Sequence, residues 1–139
     1  MNTKLNVKQW AIATAAVFVV STIFGYVPRK LEIGPWMPSA QTMAQDEMTM
    51  RVLFYLARLF AAGFFTFIFT KGFEGKPGIG EGLRYGLWIS LFLYVPWLLT
   101  GFAFGEWTAS ALFIRAIIGV MEALVGGAVV AQLYKPSKA

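Results

Sequence analysis

The chain has 139 residues, 58% apolar and 17% aromatic, with only 14% charged and a formal net charge of +5. A soluble domain usually carries about 25% charged residues, so lipid must replace water over much of this surface. The lack of cysteine excludes disulfides, thiolate metal sites and cysteine nucleophiles, and the lack of histidine removes the commonest metal ligand and the commonest general base.

The basic residues flank apolar stretches and form neither a patch nor a stripe, so their expected partners are membrane lipids and not nucleic acid. Lys4 and Lys8 precede an apolar run from Trp10 to Tyr26. The run is longer than an ordinary signal core, and a first transmembrane helix is expected over about residues 9–27. Trp10 and Tyr26 suit its two membrane interfaces, and Ala11, Ala15, Ser21 and Gly25 would permit close helix approach.

Residues 28–49 form the longest polar connection, expected outside the membrane. Pro28, Gly34, Pro35 and Pro38 break regular structure there, and Trp36 with Met37 would rest at the membrane surface. Ser39 to Met50 suits a short interfacial helix, its depth limited by Asp46 and Glu47. Thioethers can bind Cu(I), but Met37, Met43, Met48 and Met50 match no repeated motif and lack supporting His or Cys. Adaptable packing is their expected role, with no metal site.

The second helix is expected over residues 50–70, with Arg51 at its mouth and Arg58 two turns in. Its far half is rich in phenylalanine, and Ala57, Ala61, Ala62 and Gly63 offer a small-residue surface. The glycines of Lys71 to Gly86 evoke a phosphate-cradling loop, but the required spacing, the following Lys-Ser/Thr and the strand-to-helix setting are missing. A tight basic turn between membrane helices explains them better.

This stretch, KGFEGKPGIGEGLRYGL, followed by a helix and the pair Val95-Pro96, resembles a group of small, uncharacterised bacterial four-span integral membrane proteins. The resemblance implies a four-span fold and a bacterial origin, and brings no catalytic or binding motif.

A third helix is expected over residues 83–104, kinked at Pro96. Gly82, Gly86 and Ser90 give it a small-residue edge. The fourth helix, about residues 107–134, carries Ala111, Gly119, Ala123, Gly127 and Ala131 at four-residue steps, interrupted by Arg115. Close contact along this stripe is its expected structural role.

Seven lysines and arginines fall on one side of the resulting topology (Lys4, Lys8, Lys71, Lys76, Arg84, Lys135, Lys138) and three on the other (Arg29, Lys30, Arg51). The positive-inside rule then places both termini in the cytoplasm. The expected fold is all-α: one domain spanning residues 1–139, a transmembrane antiparallel four-helix bundle in a bacterial inner membrane.

Arg58, Arg115 and Glu122 are the ionisable residues well inside the crossings. Such groups are costly in lipid and turn inward. Arg58 and Arg115, each eight residues from its helix mouth, are expected at one depth, with Glu122 about 10 Å deeper. Three readings stay open: a register-fixing ion pair, a docking surface for a membrane protein or lipid headgroup, and a transport or proton-relay site. The leading functional expectation is a non-catalytic accessory or assembly subunit that packs against a larger membrane complex or against copies of itself. The alternative is a small oligomeric carrier or channel using the Arg/Glu cluster. No cofactor is expected beyond bound lipid.

Overall fold

The computed structural model describes residues 6–30, 47–72, 78–104 and 108–134. They form four α-helices: α1 (Val7–Lys30), α2 (Glu47–Gly72), α3 (Ile79–Phe104) and α4 (Ala109–Leu133). All four are long and apolar enough to cross a membrane. The protein is a multi-pass membrane protein of all-α class.

The helix limits differ from the expected ones for local reasons. Helix α1 runs through Pro28 to Lys30, so Pro28 belongs to its last turn and not to the loop. A proline this close to a C-terminus removes one helical hydrogen bond, which the preceding turns tolerate. Helix α2 begins at Glu47, and Met48 and Met50 lie in its first turns. Helix α3 begins at Ile79, which takes Gly80 and Gly82 out of the expected turn and into the helix. The break before it is set at Gly78, whose φ of 152° favours a residue without a side chain. A Cβ on Gly78 or Gly80 would meet open space. Trp36, Met37, Met43 and the 39–46 part of the expected interfacial helix lie outside the described residues.

Helix α4 is the centre of the bundle. It makes its most extensive contact with α3 and a smaller one with α1, while α2 rests chiefly on α1. The α3–α4 contact is close because both surfaces lack side chains. A Cβ on Gly82 would run into the carbonyl oxygen of Gly127, a Cβ on Gly127 into that of Gly82, and a Cβ on Gly86 into that of Ala123. In lipid, where apolar burial offers little drive, such backbone proximity supplies much of the attraction between helices. Gly101 meets Leu112 farther along, so the two helices run antiparallel over their length.

The core joins three helices at the end where α1 begins and α4 stops. Ala13, Val17, Ala62, Phe69, Val130 and Tyr134 are buried together there. Phe69 stacks edge-on against Tyr134 at 6.4 Å and Tyr85 at 5.2 Å. Three buried hydroxyls are satisfied inside their own helices: Thr66 donates to Ala62 O, Thr70 to Phe67 O and Ser90 to Leu87 O, at 2.7–2.9 Å. This is how a polar side chain is kept in a membrane helix without a partner on a neighbour. Helix α3 continues through Pro96, and the Thr100 hydroxyl donates to the Pro96 carbonyl at 2.8 Å.

Candidate functional site

The intramembrane charges meet where all four helices contribute. Arg58 of α2 donates through Nη1 to Glu122 Oε1 of α4 at 2.5 Å, with side chains 15% and 20% exposed. The same guanidinium lies against Gly25 of α1, where a Cβ would fall 2.9 Å from Arg58 Cζ. Phe54, one turn before Arg58, places its ring 5.3 Å below the guanidinium carbon, a cation–π contact. From α3, the Tyr94 phenol lies directly on Gly119, in space that any side chain there would take. Tyr94 is within electrostatic reach of Glu122, Arg115 and Arg58, and Glu122 interacts with both arginines.

The apolar spans begin at Arg51 in α2 and at Ala109 in α4, so Arg58 lies about 10 Å and Arg115 about 9 Å along its span. Glu122 is about 10 Å beyond Arg115 on α4, and the Arg58 side chain reaches it directly.

Beside the ion pair lies a cleft of about 530 Å³. Among the described residues, α2 and α3 meet at one end, where Tyr85 Oη donates to Phe65 O at 2.5 Å and the Phe65 and Tyr85 rings pack edge-on at 4.8 Å. Above that closure the two helices diverge. Ala57, Ala61 and Phe64 of α2 face Ile89, Phe92 and Leu93 of α3, with Arg115, Glu122 and Gly126 of α4 along the floor. The apolar walls thus end in a polar group: Arg58, Tyr94, Arg115 and Glu122.

The remaining expected site residues fall into place around this cleft. Gly82, Gly86, Ser90, Ala111, Gly119, Ala123 and Gly127 are buried, and Ala131 is half-buried. Gly82, Gly86, Gly119, Ala123, Gly127 and Ala131 lie at the α3–α4 contact. Of the small residues of α1, Ala11 and Ala15 are exposed, whereas Ser21 and Gly25 are buried. Tyr94 of the polar group was not singled out from sequence, and Gly25 was expected to permit close helix approach without its room being assigned to a guanidinium. The available signal was a lone phenol near mid-helix facing a stripe of residues without side chains.

Among the described residues, no three His, Cys, Asp or Glu side chains gather as a metal site would require. No protein-family model matches the chain, and neither the curated proteins nor the solved structures yield a match.

Proposed function

We propose that the protein is a non-catalytic accessory or assembly subunit that packs against a larger membrane complex or against copies of itself. The observation that carries this reading is the division of its surfaces. The small residues of α3 and α4 pack against each other, and Arg58 and Glu122 pair with each other within the monomer. Helices α2 and α3, in contrast, each rest on one main neighbour and turn a broad aromatic face outward. Phe60, Phe64, Trp88 and Phe92 are 63–75% exposed along these faces. Large flat rings on helices that lack a second neighbour suit contact with further membrane helices. The bacterial inner membrane and cytoplasmic termini belong to the same proposal, supported by the asymmetry of seven against three basic residues.

Purification from native membranes in a mild detergent, with identification of co-migrating proteins, tests the reading. A partner or a homo-oligomer in fixed ratio supports it, and a lone monomer contradicts it.

One observation favours a second reading, a small oligomeric carrier. The charged group lines an open cleft instead of being sealed in the bundle. The cleft is closed at its far end by Phe65, Phe69 and Tyr85, so transport would require α2 and α3 to part there. Flux into liposomes that is lost with Glu122→Gln would favour the carrier.

A further inference from the structure

The cleft between α2 and α3 has the polarity, charge and length of one lipid chain with its headgroup. Its volume of about 530 Å³ falls within the range of roughly 300–1,000 Å³ usual for small-molecule sites. Ala57, Ala61, Phe64 and Ile68 wall one side and Ile89, Phe92 and Leu93 the other. Arg58, Tyr94 and Arg115 stand toward one end of the lining, with Glu122 farther in and paired to Arg58, while the other end is stopped by the Phe65–Tyr85 contact. A ligand that fills it is apolar over most of its length and polar at one tip.

The tip carries a negative charge. Among the lining residues Arg58 and Arg115 are cationic and Glu122 is anionic, which leaves a formal excess of one positive charge. Guanidinium groups match phosphate in geometry as well as in sign, and the Tyr94 hydroxyl beside them is a further donor. Arg115 stands about 9 Å from the start of α4, a depth at which a lipid phosphate drawn slightly inward comes within reach of a long arginine side chain.

Length identifies the apolar part. Along α4 the lining runs from Arg115 to Gly126, a rise of about 16 Å. That is close to half of a hydrocarbon core about 30 Å thick, the depth spanned by the chains of one leaflet. A transmembrane helix about 10 Å wide and 30 Å long occupies roughly 2,400 Å³, several times the space available. An extended acyl chain is the slimmer occupant.

We propose that this cleft binds one acyl chain of an anionic phospholipid, drawn from the leaflet on the side of the α1–α2 and α3–α4 connections, with the lipid phosphate held by Arg115 and Arg58. The lipid completes the surface where α2 and α3 diverge.

The test uses the full chain in a non-ionic detergent and native mass spectrometry after addition of phosphatidylglycerol, phosphatidylcholine or inorganic phosphate. One phosphatidylglycerol per chain is expected, retained about tenfold more strongly than phosphatidylcholine, whose choline ammonium offsets the phosphate charge beside the two arginines. Arg115→Met should erase the preference, and Ala61→Trp, which fills the cleft from its exposed wall, should remove both lipids without lowering the melting temperature. If Arg115→Met fails to fold, the wild-type lipid preference and the Ala61→Trp result decide alone. Equal retention of the two phospholipids, binding of neither, or retention that survives Ala61→Trp overturns the proposal. So does inorganic phosphate competing as well as the lipid, which would mark a free-anion site, or a second copy of the chain occupying the cleft.

Discussion

Arg58 and Glu122, 64 positions apart in sequence, form an ion pair between two helices that otherwise make little contact. Helix α2 leans on α1 and helix α4 on α3, so the pair is a cross-brace tying the two halves of the bundle. The guanidinium is accommodated by Gly25 of a third helix, and Tyr94 of the fourth lies beside the pair on Gly119. A brace of this kind specifies which helices sit side by side as much as it stabilises them.

Breaking the pair should therefore cost more than removing it. Loss of one member of a desolvated pair costs about 3–5 kcal/mol in soluble proteins because the other is left uncompensated; snorkelling and water defects soften that penalty in a membrane. Glu122→Gln and Arg58→Met should each lower the melting temperature in detergent, and Arg58→Met with Glu122→Met should recover part of the loss. Arg115→Met should be milder than Arg58→Met, since Glu122 makes its short contact with Arg58. Unchanged melting in both Arg58 and Glu122 single variants would show that each group reaches water by itself.

The glycines of α3 and α4 should rank by what stands opposite them. Gly82 and Gly127 face each other's carbonyl oxygens, and backbone has no way to yield except by moving a helix. Gly119 faces the end of the Tyr94 side chain, which has a rotamer to change. Overpacking commonly costs about 1–3 kcal/mol. Gly82→Ala and Gly127→Ala should fall at or above the top of that range, and Gly119→Ala near the bottom. Thermal melts of the three alanine variants check the order; equal effects would contradict the close α3–α4 contact.

Tyr94 and Gly119 should also show compensation. Gly119→Leu drives a branched side chain into the phenol's position and should destabilise the bundle on its own. Tyr94→Ala opens that space, so the double variant should melt higher than Gly119→Leu alone. Strict additivity of the two changes would indicate that the residues do not touch.

The fold was legible in the sequence because four apolar runs of crossing length leave few alternatives in lipid. The stripe Ala111, Gly119, Ala123, Gly127, Ala131 was legible for the same reason: four-residue steps repeat on one helix face. Pairing was harder. Arg58 and Arg115 lie at nearly the same distance into their apolar spans, so which of them takes Glu122 is decided by how the helices pack and not by anything along the chain. Gly25 was legible as a point of close helix approach but not as room for a side chain from another helix. The cleft had no local signature at all, since it exists where α2 and α3 fail to meet.

Orientation follows from charge placement and is testable by itself. Reporter tags at either terminus and within residues 73–77 should read as cytoplasmic, and a tag within residues 31–46 as external. A carboxyl-terminal tag found outside would invert the bundle and move the open end of the cleft to the cytoplasmic leaflet.

The assembly role is tested most directly by comparing outer-face and inner-face variants in blue-native gels run beside thermal melts. Phe60→Ala with Trp88→Ala removes two rings that are 64% and 65% exposed on α2 and α3, leaving the cleft between α2 and α3, the ion pair and the α3–α4 glycines untouched. An assembly subunit requires this double variant to keep its melting temperature while its complex or oligomer is lost, and Gly119→Leu to lose both together. An intact complex in the Phe60/Trp88 variant, or a wild-type protein that migrates from native membranes as a bare monomer, would contradict the role.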